Sequence, residues 1–423
     1  KRVADRIAAI RALVGDAEFN ARSTAQVARW LYEKKGYTAP LATDGDPWET
    51  GKAPSTGEPA LRLLLAQGVD QQTKEFIDGL IGIRSDTKLA STYIGLRRDD
   101  DDQVVSTAAA IRTESRPVSW SSNAESVQLL VAHPDWYIHV PVTGRWSSSP
   151  NMQNWPELGE HNLRSMYAAA PGHILCGADY QAIELRLYAV LSGDQILLDA
   201  FARGTDPHVL NAATMLAGNQ SEIPRIYREI DNALKDVRRR WRMVAKRFVY
   251  LTIYEGQEAK LFTTMSLDTN PDGTPMFPNL QPSDVARWFR GWHGSHPWTM
   301  EWQHRCVRAF RQVGFVSTLI DGRKRFFRGG LDGPAIVNHG VQGSAASIIN
   351  RGIRGVAAAI PHRGWSPWSG LVLQVHDFLG VQVPEDQKER AKEILRSEME
   401  WVESGTGMRF PVELKEGRRW SDL

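Results

Sequence analysis

Apolar positions recur along this chain with two periods, and the changes of period divide it. Val3, Ile7, Ile10 and Leu13 stand three and four apart, which predicts an initial helix. Ser23-Thr24 then caps a predicted helix through Leu31. Pro40, Gly45, Pro47, Gly51, Pro54, Gly57 and Pro59 make 39–59 a loop. From Val104 to Val142 the pattern turns towards strands, as in the run Val127 to Ala132. Ile174 to Ala178 predicts a buried strand ending at Asp179, and Ile183, Leu187, Val190 and Leu191 then restore helical spacing. Residues 221–262 and 284–312 are helical in pattern, the first strongly basic and the second rich in Trp. Leu371 to Val375 and Leu379 to Val383 flank His376-Asp377, a predicted β-hairpin with the acid at its tip. Residues 386–403 predict an amphipathic helix carrying Ala391, Ile394, Leu395, Met399 and Val402. There is no internal repeat. The class is mixed α+β.

Two acids and one helix carry the candidate chemistry. Asp179 ends a predicted strand and Asp377 tips a predicted hairpin. Phosphoryl transfer from a triphosphate uses two divalent ions roughly 3.5–4 Å apart. Mg²⁺ takes a few carboxylates plus phosphate oxygens, and Mn²⁺ can take its place. Between the acids, Arg242, Lys246, Tyr250 and Tyr254 recur every fourth residue within the predicted helix 238–256. Residues four apart share a helical face. The ladder is therefore about 18 Å long at 1.5 Å per residue. Two cations at one end suit a triphosphate, and two rings further along suit a sugar and base. Arg238, Arg239, Arg240 and Arg247 add like-charge repulsion that a polyanion would relieve.

These blocks, in this order, resemble family A DNA polymerases, the group of bacterial DNA polymerase I and its phage relatives. The likeness spans nearly the whole chain. Asp16 to Leu31, Ala53-Pro54-Ser55-Thr56 and Lys88 to Tyr93 resemble the family's thumb, and Thr143-Gly144-Arg145-Trp146 through Asn151-Met152-Gln153-Asn154 its primer-touching palm segment. Asp206-Pro207-His208 resembles its Asp-x-His, and Asn338 with Gln342-Gly343 its minor-groove readers.

The resemblance implies a right-hand polymerase with an antiparallel palm sheet: thumb 1–110, palm 111–195 and 318–423, fingers 196–317. It implies that Asp179 and Asp377 hold two Mg²⁺ with help from the Tyr180 carbonyl, and that Arg242, Lys246 and His208 contact the triphosphate. Glu184 becomes a steric gate against a ribose 2′ hydroxyl, with Tyr254 beside it and the templating base. Arg145, Asn338 and Gln342 meet the minor groove, where acceptors common to all correct pairs report pair shape. Asn151, Gln153 and Asn154 belong to the DNA-contacting segment, and His376 approaches the primer's terminal phosphate. Tyr250 stands where many bacterial relatives carry Phe, which implies ready use of dideoxynucleotides. Implied partners are primer-template DNA and deoxynucleoside triphosphates, with a monomeric enzyme and an unidentified processivity factor.

Several positions depart from the family pattern. Phe378 stands where a third, auxiliary carboxylate is usual. Gln181-Ala182 replaces Ser-Gln, Val249 and Leu251 replace Asn and Gly, and Pro334 stands where Arg is common. They mark a divergent, phage-type member. Two other readings stay open: a single-subunit RNA polymerase, against which Glu184 argues, and a non-catalytic primer-template binding protein, against which the intact acids and cations argue.

Composition changes the picture little. At 423 residues the chain can hold two or three subdomains, and 42% hydrophobic with 24% charged residues is ordinary for a globular protein. No run approaches the roughly 18–20 apolar residues of a membrane span. Cys176 and Cys306 have no metal or disulfide spacing, which predicts a reducing, cytoplasmic setting in a bacterium or phage-infected host. The chain starts at Lys1 with a charged helical pattern, so a fragment or processed chain without a signal peptide is expected. No paired acids resembling a 3′–5′ exonuclease precede the thumb, so no proofreading is expected of this chain. Gly45 to Lys52 has the wrong spacing for a phosphate loop. Asp99 to Asp102 reads as a solvated turn; Trp288, Trp292, Trp298, Trp302, Met265 and Met276 read as packing residues.

Overall fold

The computed structural model of the chain describes residues 2–39, 55–88, 96–98, 104–106, 111–117, 126–132, 134–138, 140–149, 151–155, 162–254, 258–266, 276–277, 279–327, 333–360, 365–366 and 368–423. The acidic run 99–102, the segment 45–52, and Ala53, Pro54 and 89–93 of the thumb-like motifs lie outside these. Packing divides the chain into two units, 1–107 with 257–287 and 108–256 with 288–423.

The first unit is helical over most of its described length. The initial apolar period becomes the helix Arg2–Val14, and its Ile10 is buried with Phe19, Trp30, Leu31, Leu61, Phe76, Ile77, Leu80 and Ile83. Ser23 caps the next helix by accepting from the Gln26 N–H at 3.3 Å. That helix runs past Leu31, because Thr24–Ala28 widens into a π-turn over Arg29–Lys34. The wider turn carries Trp30 and Leu31 into the core, where Trp30 stacks on Phe76 at 4.1 Å between centroids. Met265 and Met276 are buried, as packing residues should be.

The second unit is built on a four-stranded antiparallel sheet. Its order is Gly370–Val375, Phe378–Pro384, His173–Tyr180 and Val412–Gly417. The strand His173–Tyr180 lies inside the sheet, paired on both edges, and its apolar run Ile174–Ala178 is buried throughout. The helix Lys388–Met399 packs against this sheet and against the helix Ser344–Ala359. It is shorter than the amphipathic pattern predicted, because Trp401–Val402 leaves it to pair with Arg409–Phe410. Glu403 fixes the intervening turn by accepting from the Gly405 and Thr406 N–H groups.

The Trp-rich stretch is two helices, Pro282–Ser295 and Trp298–Val313. Pro297 breaks it: the ring cannot donate to the ladder and disfavours helix in the residue before it. Trp288, Trp292 and Trp302 are buried, and the Trp292 indole donates to Asn211 at 3.1 Å. Beneath them, buried Asp194 caps the helix Gln195–Ala202 and pairs with buried His296 at 2.7 Å.

Candidate active site

The expected strand, hairpin and helix converge within the second unit. The strands Gly370–Val375 and Phe378–Pro384 are joined by His376-Asp377 alone. His376 has φ +56°, where a tight hairpin normally uses glycine. Gln374 steadies this turn by donating to the His376 carbonyl at 2.9 Å. Phe378 lies opposite Asp179 in the sheet, and the Tyr180 N–H donates to the Asp377 carbonyl at 3.3 Å. Two acids nearly 200 residues apart are thereby brought side by side.

Their electrostatics follow from that closeness. Burial, with Asp377 adding to it, pushes the Asp179 carboxyl up to about 6. Burial above all, with Glu184 adding, raises Asp377 as well. Asp179 Oδ1 is buried and has no hydrogen-bond partner among the described residues. An orphaned carboxylate oxygen beside a second raised carboxyl is a donor set short of positive charge, which fits a hard divalent cation. Among the described residues no cluster of three or more His, Cys, Asp or Glu stands close enough to hold an ion alone.

Phe378 accounts for the position of the usual third acid. A Cβ on Gly177 would stand 2.4 Å from its ring, and one on Gly380 3.1 Å away. The aromatic therefore lies flat across two glycines of adjacent strands. On the other edge, Glu413 pairs with Asp179 and Lys415 with Gly177. The Lys415 charge partly offsets the rise at Asp179. Alternation along the last strand was the signal for these two, but nothing in their local sequence tied them to Asp179.

After Tyr180 the chain turns through Ala182, which has φ +54°, into the helix Ile183–Ser192. Glu184 lies in its first turn. One carboxylate oxygen accepts from Arg145 and the other from the Tyr254 hydroxyl at 2.7 Å. Tyr254 sits just beyond the basic helix, which spans Lys235–Ile253 and not 238–256; its N–H still closes onto Tyr250. Burial, followed by the Glu184 charge, raises the hydroxyls of both Tyr250 and Tyr254. Both therefore remain neutral donors near neutral pH.

The basic helix buries Val244, Ala245, Phe248, Val249, Thr252 and Ile253. Arg242, Lys246 and Arg247 are exposed on the remaining surface. Arg242 is already oriented. Its Nε meets Asp206 at 2.8 Å, and Arg238 meets the same carboxylate oxygen at 3.3 Å. Asp206 also caps the helix Pro207–Leu216 by accepting from the His208 and Val209 N–H groups. Burial lowers His208 to about 4, and its Nδ1 has no partner among the described residues.

Asn338 ends one helix and Gln342 falls in the π-turn His339–Gly343 that follows. Such insertions recur at functional sites. Asn338 Oδ1 is buried without a partner among the described residues. Asn154 is exposed and Asn151 half-buried. Gln153 turns inward, donating to Gln374 Oε1 at 2.6 Å, so it supports the hairpin turn from behind. His376 reaches solvent at the hairpin tip, and partial desolvation of its ring, followed by the Arg145 charge, lowers its pKa.

Comparisons with known proteins give the fold and the family. Among solved structures, the POL domain of Pol1 from M. smegmatis, in complex with DNA primer-template and dNTP, is similar with a TM-score of 0.71. That match covers 100% of this chain and 64% of that one at 21% identity. The fold is that of a polymerase domain. A family model for DNA polymerase family A matches residues 1–422, and the chain belongs to that family. The thermostable DNA polymerase I of Thermus filiformis is 29% identical over 418 residues, which cover 95% of this chain and 42% of the relative. DNA polymerase I of Pseudomonas aeruginosa is 28% identical over 421 residues, 96% of this chain and 38% of the relative. The chain thus spans about two fifths of the length of these relatives. No described helix is long and apolar enough to cross a membrane.

Proposed function

We propose that this chain adds deoxynucleotides to a primer 3′ end under the direction of a DNA template. The observation that carries the reading is one convergence: the paired Asp179 and Asp377, the Arg145–Glu184–Tyr254 cluster and the cationic helix belong to a single packed unit. Gripping DNA alone needs no pair of raised carboxyls.

Asp179 and Asp377, with the Tyr180 carbonyl, would hold two Mg²⁺ or Mn²⁺. When bound, those ions activate the 3′ hydroxyl and neutralise the triphosphate. With two carboxylates and an aromatic at 378, substrate phosphate oxygens would complete the coordination. Arg242 has its Nε on Asp206, which leaves its Nη edge for phosphate oxygens. Lys246 adds a point charge one turn on. His208, neutral through burial, offers a neutral nitrogen at the same corner. Asp206 thereby preorients the triphosphate site without competing for it.

Glu184, held from both sides, keeps a fixed bulk where a ribose 2′ hydroxyl would lie, and Tyr250 presents its hydroxyl beside it. Arg145, Asn338 and Gln342 would read the minor groove; Asn151 and Asn154 would touch the DNA backbone, with Gln153 supporting the turn that carries His376 to the primer phosphate. In this reading 1–110 is thumb, 111–195 and 318–423 palm, and 196–317 fingers, and the chain acts as a monomer.

Primer extension with Mg²⁺ tests the proposal. The chain should extend a primer with dNTPs and prefer them over rNTPs. Asp179→Asn should lose nearly all turnover while keeping primer-template affinity within about threefold. DNA binding without extension, or extension unaffected by Asp179→Asn, would overturn it; preference for rNTPs would make it an RNA polymerase.

A further inference from the structure

Two stretches on which the proposed reading relies, around Arg145 and around Gln342, come from distant parts of the chain and are joined by one side chain. The hairpin Phe315–Ser317 and Lys324–Phe326 ends in a turn that is tied down at several points. Thr318 Oγ1 bonds to Asp321 and accepts the Arg323 N–H at 2.9 Å. Ser347 donates to Asp321 at 2.9 Å, and the Leu319 N–H donates to Ser344 at 2.8 Å. These anchor the turn on the helix Ser344–Ala359.

From this anchor Arg323 Nη2 donates to the Thr143 carbonyl at 2.6 Å and to the Gly343 carbonyl at 3.2 Å. Thr143 is two residues before Arg145, and Gly343 follows Gln342. Gly144 is shaped around the contact: its φ is +82°, and a Cβ there would stand 2.6 Å from Nη2. Asn350 takes the next carbonyl, donating to Gly144 O at 3.2 Å, and accepts from the Trp146 indole at 2.8 Å. The backbone is thus gripped just before Arg145 and the side chain just after it. Arg145 Nε itself is buried without a partner among the described residues.

We infer that Arg323 is a positioning residue that locks the Arg145 loop to the Gln342 turn, so that the two groups meet a base pair at fixed separation. This rests on the polymerase reading. A rigid pair of probes distinguishes a correctly shaped terminus from a mismatch; a loose pair adapts to both. The bond geometry also separates a clamp from a mere positive charge. Lysine at 323 keeps the charge but ends one bond short of Nη2, so it cannot reach both carbonyls as the guanidinium does.

The test compares the parent with Arg323→Ala, Arg323→Lys, Gly144→Ala and the Arg323→Ala/Gly144→Ala double variant. Single-turnover extension of matched and mismatched primer termini gives the discrimination ratio. It should fall roughly tenfold in Arg323→Ala and nearly as far in Arg323→Lys, with the dNTP KM moving less than twofold. In the double variant the losses should be less than additive, since removing the guanidinium frees the space the new methyl needs. Hydrogen exchange at 144–146 reads the clamp without catalysis, and protection there should drop in both Arg323 variants. Parental behaviour of Arg323→Lys, an equal fall for matched and mismatched ends, or unchanged exchange in Arg323→Ala would overturn the inference. A parent that extends no primer sinks the polymerase reading instead, and the exchange data still decide the clamp.

Discussion

Truncating Glu184, compared with Glu184→Gln, separates bulk from charge at the proposed gate. Its side chain is 17% exposed and is held by Arg145 on one oxygen and Tyr254 on the other. Glu184→Ala removes both acceptors and leaves a cation, whose Nε is already unpartnered, beside an empty volume. Removing one partner of a mostly buried charged hydrogen bond costs about 2–4 kcal/mol of stability. The functional effect has a different origin. Forcing an extra hydroxyl into a filled site costs about 1–3 kcal/mol. Relieving that should raise rNTP use relative to dNTP roughly ten- to hundredfold. Glu184→Gln keeps the bulk and loses only the charge, so its nucleotide preference should stay within about threefold of the parent while its stability falls. Single-turnover incorporation of each nucleotide, with denaturant melts of the same proteins, measures both effects. If Glu184→Ala left the preference unchanged, or Glu184→Gln lost as much of it, bulk at this position would not be the gate.

Other outcomes follow from single contacts. Tyr250 offers a neutral hydroxyl that can replace the bond a dideoxynucleotide lacks, so Tyr250→Phe should reduce ddNTP use about tenfold with dNTP use nearly intact, roughly the contribution of one hydrogen bond; equal effects on both in a competition assay would refute this. Ala182 holds φ +54°, a conformation costing an L-residue about 1–2 kcal/mol, so Ala182→Gly should stabilise the chain by about 0.5–1 kcal/mol after glycine's entropy is subtracted. A lower denaturation midpoint in that variant would contradict the strain argument. Asp179, raised to about 6, favours its neutral form in the folded chain. Its contribution to stability is full below the unfolded value of about 4 and is lost as pH rises through about 6. Mg²⁺ should therefore raise the melting temperature at pH 8 and barely at pH 5, and Asp179→Asn should abolish the difference. An equal rise at both pH values would count against the acid pair as the ion's holder.

The amino-acid sequence determined each local piece of this protein. The apolar run before Asp179, the two runs flanking His376-Asp377 and the four-residue ladder of the basic helix depend on periodicity alone; the strand and the hairpin formed where their patterns predicted, and the helix formed with its last rung, Tyr254, just past its end. Boundaries were less legible, because a turn can override a continuing pattern: Pro297 divided the Trp-rich stretch, and pairing with Arg409–Phe410 drew Val402 out of its amphipathic helix. What only the tertiary structure decided was partnership across distance. Nothing near Asp206 marks it as the carboxylate that orients Arg242, nothing near Arg323 points to the carbonyls of Thr143 and Gly343, and Gln153 looked outward in sequence yet donates to Gln374. Side-chain period is a property of neighbouring residues, whereas a hydrogen bond or ion pair between remote segments exists only once strand register and helix packing have brought its two ends within about 3 Å.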